Sequence, residues 1–209
     1  MNKRIIYLIL LLCANFLQAQ QNDEFKMAKK YFDYQRFMLD SEFRKKFDEE
    51  KNIQQKIAIK TDFSEFMIKL DSIQNIAFIG TLIKVKNRED LERITRKNTS
   101  TPHLENPEKT DLNEEASYPG GFETLRKQVA HLFYTGSVLP DQKLLKTNVV
   151  FVVEKDGSIS SVHAEGENFT FNRQAEIAMY LLPEKFSPAI INGNAVRYRF
   201  RLPLAMNFD

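Results

Sequence analysis

The sequence predicts an α+β protein in which a mainly helical region precedes a small three-stranded antiparallel sheet with two helices on one face. Residues 20–79 contain neither glycine nor proline, which is typical of long helices. All seven prolines and six of the seven glycines follow Lys97. Two β-branched runs occupy 148–162, and apolar and polar residues alternate strictly in 196–202. Helices are therefore expected first and the sheet afterwards.

The composition is that of an ordinary globular protein. The chain has 209 residues, of which 43% are hydrophobic and 28% charged, enough to bury a core. Lys and Arg number 30 against 28 Asp and Glu. This balance lacks the basic excess that drives non-specific binding to nucleic acid, so no nucleic-acid partner is expected.

The first 19 residues have the pattern of a secretory signal peptide. Lys3 and Arg4 precede an apolar run, and Ala19 precedes a polar stretch. The run is short for a membrane span, so we expect cleavage after residue 19 and a periplasmic protein. Retention as an inner-membrane anchor is the alternative. The single cysteine, Cys13, lies in this segment, so the mature chain would have no disulfide and no thiolate metal site; no cofactor is expected.

Residues 20–96 are predicted to form a mainly helical region of unknown role. One apolar stripe at helical spacing comprises Phe25, Ala28, Phe32, Leu39, Phe43 and Phe47. A second helix is predicted to begin at Asp62, with Glu65 completing a capping box. Residues 76–86 favour a strand because β-branched and aromatic residues dominate there, and Asn87 would cap a further short helix.

Residues 97–117 are predicted to be a linker because they contain few apolar side chains and two prolines. The second domain, 118–209, should contain helix, strand, strand, helix and strand in that order. Asp156 and Gly157 separate two β-branched runs and indicate a hairpin. The strand containing Val149 is apolar on both alternations, which predicts a central position, and Pro203 suits the end of an edge strand.

The last predicted strand is apolar on one face and cationic on the other. Its apolar residues should meet the helices and its three arginines should face solvent. The predicted edge strand comprises Val196, Arg197, Tyr198, Arg199, Phe200, Arg201 and Leu202.

Residues 118–209 resemble the C-terminal domain of TonB, in the form found in Bacteroidetes-type energy-transducer proteins. The resemblance is carried by "YPGG" at 118–121, "FVVEKDGSISSV" at 151–162, "FSP" at 186–188 and "NGNAVRYRF" at 192–200. Leu139 and Pro140 stand where the family usually has Tyr-Pro, and Asn172 and Ala175 where it tends to have Asp and Ala.

The resemblance implies that the last strand is a free sheet edge that captures an extended segment of an outer-membrane transporter or another envelope protein. Strand addition of this kind uses backbone hydrogen bonds for affinity and alternate side chains for selectivity. The arginines could pair with acidic residues of such a segment, or could only guard the edge against aggregation. The same edge could join two copies as a homodimer.

The sequence also departs from a working TonB. A helical region stands in place of the proline-rich spacer, and the N-terminal segment is expected to be cleaved, so a binding adaptor without energy transduction is the preferred interpretation. An envelope structural or cell-wall-binding protein is the alternative.

No enzymatic activity is expected. His103, His131 and His163 form no metal-spaced pair, and neither a Gly-x-Ser-x-Gly motif nor a phosphate-binding loop occurs.

Overall fold

The computed structural model describes residues 20–98 and 112–208. They form four helices, α1 (Gln20–Glu49), α2 (Ile53–Asn98), α3 (Gly121–His131) and α4 (Phe169–Tyr180), with a short 3-10 turn at Thr135–Ser137. The strands are β1 (Leu144–Val153), β2 (Ile159–Glu165), β3 (Ala189–Ile191), β4 (Asn194–Val196) and β5 (Tyr198–Asn207). The predicted α+β class, with a three-stranded antiparallel sheet after a mainly helical region, is confirmed. The predicted signal peptide, 1–19, lies outside the described residues.

Helix α2 is much longer than predicted and includes the segment that favoured a strand. Phe78, Leu82 and Val85 are buried on one face of the helix. Their steps of four and three place them together only in a helix, so tertiary packing overrides the β propensity of the segment. Gly80 faces open space, where it costs the helix only its low propensity.

The start of α2 was also predicted wrongly. The Asn52 side chain accepts hydrogen bonds from the backbone N–H groups of Gln54 and Gln55, at 2.8 and 3.2 Å, and so caps the helix ten residues before Asp62. Asp62 and Asn87 both lie inside α2 and cap nothing.

Helices α1 and α2 form a long antiparallel hairpin. The rings of Phe43 and Phe63 stack with centroids 4.1 Å apart near the turn. Further along, Arg36 donates to Asp71 and Gln74. These contacts fix the register of the two helices.

The main sheet has the strand order β2-β1-β5, with every neighbour antiparallel. The Val149 strand is therefore central and the last strand lies at an edge, as predicted. Gly157 closes the β1–β2 turn at φ +77° and approaches the backbone of Phe186 too closely to leave room for a Cβ atom. The predicted Asp-Gly hairpin is thus confirmed.

A second, two-stranded sheet was missed by the sequence analysis. β3 and β4 pair around Asn192 and Gly193, which have φ of 48° and 76°. An Asn-Gly pair with two positive φ values is the usual signal of a tight hairpin turn. Val196 belongs to this small hairpin, and the edge strand begins only at Tyr198.

The protein is built in three layers. Helices α3 and α4 cover one face of the sheet, with Leu125, Val129 and Ala178 in the same core as Val149 and Phe151. The α1–α2 hairpin covers the other side of α4, where Phe25 stacks on Tyr180 at 5.1 Å between ring centroids. Since α4 is packed from both sides, the N-terminal helices and the sheet share one continuous core.

The predicted linker is shorter than 97–117 at both ends. Residues 97 and 98 belong to α2. Residues 112–117 run beside β3, where Glu114 bridges to Ile190 and Ser117 to Ser187. Ala116 is buried in the core, so this stretch is part of the folded structure. The remainder, 99–111, lies outside the described residues.

Candidate functional site

Strand β5 has one hydrogen-bonded side and one open side. Phe208, just beyond the strand, donates its N–H to the carbonyl of Lys143 at 2.7 Å, in register with the β1–β5 ladder. Donors of an antiparallel strand point alternately to opposite sides. The backbone N–H and C=O groups of the even-numbered residues of β5 therefore point towards β1. Those of the odd-numbered residues, including Arg199 and Arg201, point outward.

The side chains of β5 alternate in the predicted way. Tyr198 and Leu202 are buried beneath the helices, and Phe200 is half-buried between Phe122 and Phe151. Arg199 and Arg201 are exposed on the opposite face. Among the described residues, neither guanidinium has an ion-pair partner. The edge thus presents two outward-facing backbone positions whose side chains are free cations.

Arg197 does not belong with the other two arginines. It precedes β5, and its Nε and Nη2 atoms each donate to Glu154 at 2.8 Å. This bidentate pair occupies the guanidinium that was predicted to face solvent and be available to a ligand. Val196, also assigned to the edge from sequence, lies in β4 and packs partly against the core.

Pro203 lies in the middle of β5, opposite Asn148, and not at its end as predicted. It is an odd-numbered residue, so its nitrogen faces outward and no ladder hydrogen bond to β1 is lost. The consequence is a gap in the open edge: Arg199 and Arg201 offer donors before it, and Ala205 and Asn207 after it.

The other edge of the sheet, β2, is closed by side chains. Val162 N donates to the Tyr180 hydroxyl at 3.3 Å, and Ala164 N donates to Glu176 at 3.0 Å. From α2, the Lys86 ammonium donates to the carbonyl of Val162 at 3.1 Å. These backbone groups would otherwise be free to pair with another strand.

A bulge further disrupts β2. Val150 of β1 pairs with His163 of β2, and Val152 pairs with Ser160. Between these two pairs β2 advances by three residues and β1 by only two. Ser161 sits in this bulge at φ 52° and donates its N–H to Glu89 at 2.8 Å. Bulges and covering helices are two established ways of blunting a sheet edge. The two edges of this sheet are therefore chemically different.

Glu176 is the centre of the closed edge. Its side chain is only 1% exposed and accepts from Lys86 at 3.0 Å and from Arg173 at 2.6 Å, besides Ala164 N. His163 Nδ1 lies 3.4 Å from the same carboxylate. A buried carboxylate requires this degree of pairing, because an unpaired buried charge is strongly destabilising.

Glu89 and Tyr180 form the second polar contact at this edge. The Tyr180 hydroxyl donates to Glu89 at 3.0 Å. Burial raises the pKa of Glu89 above its ordinary value of 4.5, although hydrogen bonds from Ser161 and Tyr180 oppose the rise. Burial, reinforced by the charge of Glu89, also raises the pKa of Tyr180 well above its ordinary value, so the hydroxyl remains a donor.

Glu176, Lys86 and Glu89 were not recognised in the sequence. The signal was a charged residue inside the apolar stretch "QAEIAMY" of α4, where a carboxylate needs a partner. The partner Lys86 is 90 positions away and could not be assigned without the fold.

The helical hairpin carries a large exposed apolar surface. On α2 it comprises Phe66, Ile73, Ile76, Ile83, Leu91 and Ile94, and on α1 Met27, Tyr31, Tyr34 and Phe37. By length and composition alone α2 could cross a membrane, since Ile53–Thr95 contains an 18-residue window of mean hydropathy 1.3. The same helix is bonded to α4 through Lys86 and through Asn75, which accepts from Gln174 at 2.7 Å. Crossing a membrane would break those contacts.

The described part of the chain contains no cluster of side chains arranged as a metal site, and its histidines lie on different elements. Residues 20–98 and 112–208 contain no group of three or more His, Cys, Asp or Glu residues placed to hold a metal ion. His131 is exposed at the end of α3, and His163 lies beside Glu176 and Glu165. His103 lies outside the described residues.

Comparison with protein-family models, curated proteins and solved structures gives no match for this chain.

Removal of the Glu176 carboxylate should destabilise the protein severely. Glu176→Ala leaves Lys86, Arg173 and the Ala164 amide without their shared acceptor, so we expect a loss of about 3–5 kcal/mol in the free energy of unfolding. Glu176→Gln should cost less because its amide oxygen can still accept from Ala164. Urea unfolding measures both. The control is Glu123→Ala, whose exposed pair with Arg126 should contribute under about 1 kcal/mol. Equal losses for Glu176→Ala and the control would contradict this role.

The raised pKa of Glu89 predicts a pH-dependent effect of Glu89→Gln. The folded state holds the proton more tightly than the unfolded state, so wild-type stability falls as pH rises from about 4.5 through the raised pKa. Glutamine keeps an oxygen that can accept from both Ser161 and Tyr180 but never ionises. Its stability relative to wild type should therefore increase over that interval and then level off.

Unfolding free energies measured between pH 4 and 8, a range spanning the ordinary carboxyl pKa, test this expectation. Glu65→Gln, at an exposed position of the same helix, is the matched control. A Glu89→Gln effect that is constant with pH would show that the carboxyl titrates alike in both states.

Proposed function

We propose that this chain is a periplasmic adaptor, similar to the C-terminal domain of TonB, that binds extended peptide segments by adding them to the outer edge of β5. The observation that carries the proposal is the contrast between the two sheet edges. β2 is bulged and bonded to α2 and α4, whereas β5 leaves the backbone of Arg199 and Arg201 open. Strand addition needs such an open edge.

The order of elements supports the TonB-like interpretation. Helix α3, the β1–β2 hairpin, α4 and β5 follow one another as the quoted motifs require, and "YPGG" leads directly into α3. Tyr118 of this motif is buried and contacts Phe186 of "FSP" with ring centroids 4.9 Å apart. The motifs that carry the resemblance thus meet in the core.

The helical hairpin supports an adaptor in preference to an energy transducer. It packs on α4 and closes β2 instead of extending away as a spacer would. A partner strand is then directed to β5. The proposed ligand is the exposed, acidic, extended segment of an outer-membrane transporter or another envelope protein, because Arg199 and Arg201 offer positive charge along the edge.

A second candidate, an envelope structural protein, is favoured by the apolar stripes of α1 and α2. Such a protein would assemble through the hairpin, and β5 would play no part. Substitutions in β5 therefore distinguish the two candidates.

The test uses synthetic peptides that match the N-terminal extensions of outer-membrane transporters from the same cell. Arg199→Gln together with Arg201→Gln should weaken an acidic peptide about 2- to 30-fold, because each exposed ion pair contributes roughly 0.2–1 kcal/mol. The dependence of affinity on salt should fall at the same time. Arg44→Gln together with Arg93→Gln makes the same charge change on the helical hairpin and should leave affinity unaltered.

N-methylation of alternate peptide amides provides the backbone control. One alternation should abolish binding and the other should be tolerated, because only one set of amides would face β5. Binding that survives both alternations, or that responds equally to both arginine pairs, would exclude strand addition at this edge. A homodimer through β5 would appear as concentration-dependent association that the peptide competes away.

A further inference from the structure

A cavity of about 650 Å³ lies between α3 and the far half of β5. This volume falls within the range of small-molecule sites, roughly 300–1,000 Å³. The helix and the strand touch at one end, where Phe122 stacks on Phe200 with centroids 6.1 Å apart. Farther along, the walls come from Arg126 to Ala130 of α3, from Phe133 just beyond the helix, and from Pro203 to Met206 of β5.

One end of the cavity is apolar. Phe133 packs on Phe171 with ring centroids 5.1 Å apart, and Met206 packs against the same small cluster. All three residues line the cavity. An aliphatic chain placed there would lose its contact with water, which stabilises binding by about 0.8 kcal/mol for each buried methylene group.

The other end of the cavity is polar and carries positive charge. Arg126 and Lys127 line it from α3, and the Arg126 guanidinium lies 4.5 Å from the centroid of the Phe122 ring. Arg126 has an exposed partner in Glu123 at 3.1 Å, whereas Lys127 has no acidic partner among the described residues. Lys146 also lines the cavity. Among the described residues that line it, Glu165 is the one carboxylate.

Thr147 supplies an independent indication of a ligand. It lines the cavity from β1, opposite Leu204, and is only 4% exposed. Its hydroxyl is buried without a hydrogen-bond partner. An unsatisfied buried hydroxyl is costly, and rotation of the Thr147 side chain towards the cavity would let the hydroxyl donate to a ligand oxygen and remove that cost.

We propose that this cavity binds a small amphipathic carboxylate, with its aliphatic chain against Phe133, Phe171 and Met206 and its head group near Lys127 and the Thr147 hydroxyl. Pro203 argues against a peptide here, because it removes an outward-facing donor from the strand beside the cavity. The site is independent of strand addition at Arg199 and Arg201.

Decanoate, decanol and decylammonium are suitable probes because they share a chain and differ in head-group charge. Binding to the full chain can be followed by calorimetry and by shifts of backbone amide signals. Decanoate should bind saturably and about tenfold or more tighter than decanol, with decylammonium weakest. Absence of saturable decanoate binding, or equal affinities for decanoate and decanol, would overturn the proposal.

Variants separate the two ends of the cavity. Lys127→Gln should weaken decanoate about 2- to 5-fold and leave decanol unchanged, whereas Lys155→Gln, in the exposed β1–β2 turn, should affect neither. Thr147→Val keeps the side-chain shape and should weaken decanoate about tenfold, because a hydrogen bond to a charged group is lost. Because Thr147→Val also removes an unsatisfied hydroxyl, the free energy of unfolding of this variant without ligand should not fall below that of the wild type.

Ala130→Trp, at an exposed position lining the cavity, should block both probes by filling the space. Unchanged decanoate affinity in Lys127→Gln and Thr147→Val would place the ligand elsewhere and overturn the assignment. Peptide binding at β5 is measured separately, so failure of either proposal can be recognised without the other.

Discussion

The buried carboxylate of Glu176 is the constraint on which the arrangement of this protein depends. It joins Lys86 of α2, Arg173 of its own helix and the backbone of Ala164 in β2. A charge that is almost fully buried must find such partners, and here the partners come from both parts of the chain. The helical hairpin is consequently fixed to the sheet by a polar contact as well as by the Phe25–Tyr180 stack.

This attachment makes the small sheet asymmetric. A three-stranded sheet has two edges, and each could pair with a foreign strand. The hairpin, the Ser161 bulge and the Glu176 and Tyr180 side chains occupy one of them. Of the two edges only β5 is left open, and Pro203 divides this open edge into two short stretches. In our proposals the first stretch binds a peptide, and the second adjoins the cavity that binds a different ligand.

Local patterns predicted the C-terminal part well because its signals are short in range. The Asp156-Gly157 turn, the apolar run at Val149 and the alternation at Tyr198–Leu202 each depend on neighbours in sequence. The strand predicted at 76–86 failed because burial of Phe78 and Leu82 against distant residues outweighs β propensity. The predicted role of Arg197 was wrong for a similar reason, because its partner Glu154 lies 43 positions away in the sequence. The contribution of α2 to the closed edge, which depends on pairs 72 to 91 positions apart, could not be seen in the sequence.

The difference between the two edges can be measured directly by amide hydrogen exchange under native conditions. Exchange requires an amide to lose its hydrogen bond and meet solvent, so each backbone N–H reports on its own edge. Val162 and Ala164, bonded to Tyr180 and Glu176, should exchange slowly, and Arg199 and Arg201 should exchange rapidly. Rapid exchange at Val162 and Ala164, or protection of Arg199 and Arg201 equal to theirs in the isolated protein, would contradict a sheet with one closed and one open edge.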